Sequence, residues 1–161
     1  MQLCCFCNWD NLMRLFHVAP TALRTGSVIE PGNWGRILAL YRYNPSNNGW
    51  MMARELAFEM ERLRTAPKAP SRTEACFALP SLDEAQRYRF ANAPLNVILE
   101  VELSEPDAAC HYGFLQQFEG MHDQLFIASV KQRAEDYWNG IGEGDREVVT
   151  ASGLRVVGQV A

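Results

Sequence analysis

The chain has 161 residues, 48% apolar and 21% charged, with a formal net charge of −4. That is the composition of an ordinary globular protein, long enough for one substantial core and short for two. The acidic balance excludes the electrostatic footprint of a duplex nucleic-acid binder or of a protein held on an anionic membrane. No run approaches the roughly 18 apolar residues that a membrane-spanning helix needs. Positive charge is nearly all arginine, with Lys68 and Lys131 the exceptions, and arginine suits planar contact with phosphate or carboxylate.

In chain order, Cys4, Cys5 and Cys7 come first, and Cys76 and Cys110 stand alone. An odd count with no secretory leader argues against a disulfide framework and for a reducing compartment. CCFC offers three sulfurs, two of them adjacent, where a structural zinc site wants four ligands in spaced pairs, so no metal is expected. MQLCCFCNWDNL has no basic start and no sufficient apolar run, and does not read as a convincing signal peptide. Met13 stands directly before RLFHV, so the first twelve residues read as a poorly ordered leader or an upstream start, with one domain over residues 13–161.

A short strand is predicted from Arg14 to Val18, ended by Pro20. Val28-Ile29 then leads into PGNWG, read as a loop, and YNPSNNG reads as a surface loop. Trp50 to Arg64 is a helix, with Ala53, Leu56, Ala57, Met60 and Leu63 on one face and Arg54, Glu55, Glu59, Glu61 and Arg62 off it. A strand follows over Glu74–Leu79. Ser81 and Glu84 form a capping box that opens a helix to about Phe90. Leu95–Leu103 alternates as a half-buried strand, and Leu125 to Trp138 looks helical. After the glycine-rich NGIGEGD, Arg146–Ala151 and Leu154–Val160 read as two strands of a hairpin turned at Ser152-Gly153. The pattern is α+β.

Conventional catalytic motifs are poorly supported. Nothing local activates the cysteines toward His17, His111 or His122. The histidines lack the i, i+4 spacing of a helical metal site, and NGIGEG precedes a strand without the Lys-Ser/Thr of a phosphate loop. One ordered set is more informative. His17 lies in the first strand, Phe77 precedes Tyr88 by eleven residues across a strand-to-helix unit, and Glu147 opens a late strand. Each has a plain alternative: a core histidine, a core phenylalanine, a packing tyrosine, an exposed strand-end carboxylate.

In LFHVAPTALRTGSVIEPG, CFALPSLDEAQRY and REVVTASGLRVV, the chain resembles the ADP-ribosyltransferase superfamily, of the branch with a His–Tyr–Glu signature. The likeness runs from Arg14 to Val160 through short motifs. It extends to the bacterial rifampin-modifying members and, through PSR at Pro70–Arg72 and the Tyr137-Trp138 pair, to uncharacterised bacterial proteins. The resemblance implies a split, mostly antiparallel sheet flanked by helices. It implies a mono-ADP-ribosyltransferase that uses NAD as substrate and a protein as acceptor, acting in the cytoplasm or in the cytosol of a recipient cell.

It also assigns roles to residues. His17 would hold the adenosine ribose and the Val18 backbone the nicotinamide amide. Phe77 and Tyr88 would stack on the nicotinamide, Ser71 and Arg72 would meet the pyrophosphate, and Glu147 would be catalytic with His17. A carboxylate at the ribose 2′-hydroxyl stabilises positive charge that develops only in the transition state, where stabilisation raises the rate. Three positions depart from the family pattern: Phe77 replaces tyrosine, Ala85 replaces a serine, and Val18 replaces glycine. They keep two alternatives open, an NAD glycohydrolase and a non-catalytic nucleotide-binding module of the same fold.

Overall fold

A computed structural model describes residues 14–41, 48–119 and 125–161. The first twelve residues with CCFC, most of YNPSNNG, and His122 lie outside the described residues. The elements are β1 (Leu15–Ala19), β2 (Val28–Ile29), α1 (Asn33–Ala39), α2 (Asn48–Thr65), β3 (Cys76–Ala78) and α3 (Leu82–Asn92). They continue with β4 (Val97–Leu103), β5 (Cys110–Phe114), a 3₁₀ turn at Leu115–Phe118, α4 (Phe126–Trp138), β6 (Arg146–Thr150) and β7 (Leu154–Gln159). Among the described residues no helix is long and apolar enough to cross a membrane.

The strands form two antiparallel sheets, ordered β1-β4-β7-β2 and β3-β6-β5. This is the α+β architecture, with a split antiparallel sheet and flanking helices, that the sequence led us to expect. Leu15, Leu99, Val101 and Val156 of the first sheet pack on Cys76, Ala78 and Val148 of the second. Side chains alternate along a strand, so Val149 faces the other way, into a cluster with Phe58 of α2 and Ala134 and Tyr137 of α4. The second sheet is therefore covered on both faces. A smaller cluster of Leu79, Ala85 and Ile98 seats α3.

The capping box forms in altered shape. Ser81 Oγ accepts the Glu84 N–H at 3.2 Å, but the Glu84 carboxylate turns to accept the Ser81 hydroxyl at 2.5 Å and the Arg146 N–H at 3.1 Å. The cap of α3 is thereby tied to the start of β6.

Four expectations are corrected. PGNWG is not a loop throughout: Gly32 turns the chain at φ 84° and α1 begins at Asn33. A Cβ at Gly35 would lie 2.2 Å from the Thr73 carbonyl oxygen, so this glycine marks a close approach of helix to backbone and not a break. Second, β5 was not anticipated, because Gly113 interrupts its strand pattern. Third, α2 faces the opposite way from its apolar stripe. Leu56, Met60 and Leu63 are exposed, while Glu55, Phe58 and Glu61 are buried. Fourth, β6 and β7 do not pair as a hairpin; β6 pairs with β3 and β5, whereas β7 pairs with β4 and β2. Gly153 lacks the positive φ that a two-residue hairpin turn demands, and the chain crosses between sheets there.

Candidate functional site

The two sheets touch through their edges. Phe16 of β1 and Leu79, just past β3, exchange backbone hydrogen bonds of 2.9 and 2.7 Å. Beyond that pair no further bridge joins the two strands, and the His17 ring spans the gap, with Nδ1 2.8 Å from the Phe77 carbonyl oxygen. A carbonyl only accepts, so Nδ1 carries the proton and Nε2 keeps a lone pair. Burial lowers the His17 pKa below 6.5, and the bond to Phe77 offsets only part of that, so the ring is neutral near pH 7.

The separated sheets leave a cleft of about 580 Å³, lined by His17, Val18, Arg72, Phe77, Tyr88 and Glu147 among others. The size is that of an ordinary small-molecule site. Tyr88 reaches it from α3, and burial followed by the nearby Glu147 charge raises its pKa, so it is a neutral phenol. Val18 reaches it from β1, where it pairs with Ile98. Ala85 is fully buried in the α3 cluster.

Glu147 is the second residue of β6 and sits opposite Gly113 of β5. The approach to it is held by the Glu84 contact to Arg146 and by Arg87, which grips the Asp145 carboxylate at 2.7–3.0 Å. Any Cβ on Gly113 would come within 1.9 Å of the Tyr137 ring. Glycine there lets that ring cross β5, and its hydroxyl donates to Glu147 Oε1 at 2.8 Å.

Arg72 completes the arrangement. Its Nη1 donates to Glu147 Oε1 and to the Tyr137 hydroxyl, and its Nε donates to Glu55 Oε2 at 3.0 Å. Arg54 Nη2 donates to the other Glu55 oxygen at 3.1 Å. Four charges therefore alternate, Arg54, Glu55, Arg72, Glu147, and sum to zero. The Arg72 guanidinium lies 4.4 Å from the Phe118 ring centroid and 4.9 Å from that of Phe77. Burial works against its charge, but Glu147, Tyr137 and Glu55 outweigh it and raise the pKa well above the usual arginine value. Burial likewise opposes ionisation of Glu55, yet Arg72 and Arg54 bring its pKa below 4.5. Among the described residues nothing donates to Glu147 Oε2.

Ser71 is a correction. It does not line the cleft; its hydroxyl donates to Glu59 Oε2 at 3.0 Å and lies 2.9 Å from Thr73 Oγ1. Arg72 turns inward and Ser71 outward, so the two do not form the paired anion contact expected of them. Sequence reasoning also missed Glu55 and Arg54, which it put on the solvent face of α2, and the bond from Tyr137 to Glu147. Gly113 was the available signal for Tyr137, since a glycine inside a strand marks a close approach. The Cys76 thiol, pushed up to about 11 chiefly by burial, is no nucleophile at neutral pH.

The family described as a protein of unknown function, DUF2441, has a model that matches residues 36–159. The chain belongs to this family. The DUF2441 match takes in Glu55, Arg72, Phe77, Tyr88, Tyr137 and Glu147, whereas β1 with His17 and Val18 precedes it. No curated protein matches the chain.

Proposed function

We propose that the protein is an NAD-dependent mono-ADP-ribosyltransferase that transfers ADP-ribose to a protein acceptor. The observation that carries this reading is that His17, Phe77, Tyr88 and Glu147, far apart in sequence, line one cleft. It rests equally on the resemblance of the motifs that hold them. NAD is the substrate; the acceptor nucleophile would form a bond to the ribose C1′ as the bond to nicotinamide breaks. Positive charge develops on the ribose, and Glu147 Oε2 is the oxygen available to accept the 2′-hydroxyl and stabilise that charge. Released nicotinamide leaves neutral, and the acceptor proton passes to Glu147 or solvent. The neutral His17 Nε2 can accept a hydroxyl of the adenosine ribose, and the Phe77 and Tyr88 rings offer faces for nicotinamide. The acidic chain favours a protein over a nucleic-acid acceptor, in the cytoplasm or in a recipient cell's cytosol.

A second reading, a nucleotide-binding module without turnover, is favoured by one contact. Arg72 already neutralises part of the Glu147 charge, which weakens its pull on an oxocarbenium. Labelled NAD incubated with cell lysate separates these readings. Transfer predicts label on a protein, with nicotinamide release falling about 10²–10³-fold in Glu147→Gln while NAD still binds. Free ADP-ribose without labelled protein would indicate hydrolysis. Equal binding by both forms with no release from either would leave the module.

A further inference from the structure

Helix α2 spends apolar surface to bury charge. Leu56, Met60 and Leu63 are 60–73% exposed, and burying each would have been worth about 1.5–3 kcal/mol. In their place the helix turns Glu55 inward, at 3% exposure, against Arg72. A buried ion pair seldom repays its desolvation relative to apolar packing, so the packing of Phe58 that turns this face inward does not by itself account for a glutamate at position 55.

The geometry of Arg72 supplies a reason. A guanidinium is a rigid planar fork, so fixing one nitrogen fixes the direction of the others. Glu55 holds Nε, and Nη1 is thereby aimed at the single oxygen Oε1 of Glu147, where the Tyr137 hydroxyl also donates. An arginine free to turn frequently takes a carboxylate through both oxygens. We propose that Glu55 is a positioning residue, which by holding Nε orients Arg72 so that Nη1 alone meets Glu147, and thereby keeps Glu147 Oε2 open to the cleft. Its effect on turnover rests on the transferase reading; its effect on the ion pair does not.

Glu55→Leu tests both parts. Crystal structures without NAD should show the Arg72 fork rotated onto both oxygens of Glu147. Nicotinamide release should lose about a hundredfold in kcat, as for a misplaced catalytic group, with KM near the wild-type value. Glu55→Gln keeps an acceptor for Nε without the charge. It should keep Arg72 on one oxygen of Glu147 and hold kcat within about tenfold of wild type, the weaker neutral hydrogen bond loosening the fork without releasing it. The inference is overturned if Arg72 still meets one oxygen of Glu147 in the leucine variant. Wild-type kcat in the leucine variant overturns it too; if that variant does not fold, a glutamine variant with wild-type Arg72 geometry and about a hundredfold loss in kcat overturns it. A wild-type protein that releases no nicotinamide removes the transferase reading and leaves the crystal structures to decide the inference.

Discussion

At His17 one hydrogen bond sets the role of both ring nitrogens, and it also sets how the protein should respond to acid. Burial holds the His17 pKa below the 6.5 of an unfolded chain, and burial does the same at His111, whose ring bonds the Tyr137 carbonyl at 2.9 Å. Below 6.5 the unfolded chain takes up these protons more readily than the folded one. The stability the neutral rings contribute is therefore present above pH 6.5 and lost as pH falls through their folded values. Thermal unfolding of the wild type should drop between pH 7 and 5, and His17→Gln should flatten that slope; an unaltered slope would mean His17 is not held neutral. His17, Phe77, Tyr88 and Glu147 could be singled out in the sequence because their order and spacing were informative. Glu55 could not, since nothing in the neighbourhood of a helical glutamate tells that an arginine seventeen residues on will meet it.

Helix α2 shows the same limit one level up. Its length was legible from periodicity, but its orientation was not, because a helix turns toward its partners and not simply toward its own apolar side. Phe58 decides the matter on the apolar side. It is fully buried, stacks on Phe118 at 4.8 Å and meets the edge of Tyr137 at 5.4 Å. Glu55 and Glu61 on that side are matched by Arg72, Arg54 and Arg64. The consequence is an inverted mutational pattern. Leu56→Lys should change stability by no more than about 0.5 kcal/mol, as at an ordinary surface position. Phe58→Ala should cost about 3–5 kcal/mol, because the surrounding rings cannot close the space. Chemical denaturation of the two variants measures this directly, and a costly Leu56→Lys would return the apolar stripe to the core. The capped helix α3 was easier to read, since Ser81 and Glu84 act within one turn and no distant partner is needed to set its start.

For the whole molecule, the decisive step is where the chain changes sheets. Two β-rich runs separated by Ser-Gly look like a hairpin in sequence, yet pairing β6 with β7 would merge the sheets and abolish the gap beneath His17. Ser152 holds the crossing instead. It is fully buried, its hydroxyl donates to the Gly153 carbonyl at 2.7 Å, and it accepts the Glu105 N–H at 2.9 Å. The Ser104 N–H also donates to the Gly153 carbonyl at 2.9 Å, and the Ala151 N–H to Ala109 at 3.0 Å. The segment between β4 and β5 thus clamps both ends of the crossing, sending Glu147 into one sheet and Leu154 into the other. No short-range pattern reveals this, because the clamping groups lie more than forty residues upstream and most are backbone. Ser152→Ala strips the Glu105 amide of its acceptor without altering the fold's apolar contacts. It should therefore cost about 0.5–1.5 kcal/mol, the net worth of a hydrogen bond whose donor sits on an exposed residue. Urea denaturation gives the value, and a loss within about 0.5 kcal/mol, the range of a neutral surface change, would show that the crossing is held without the hydroxyl.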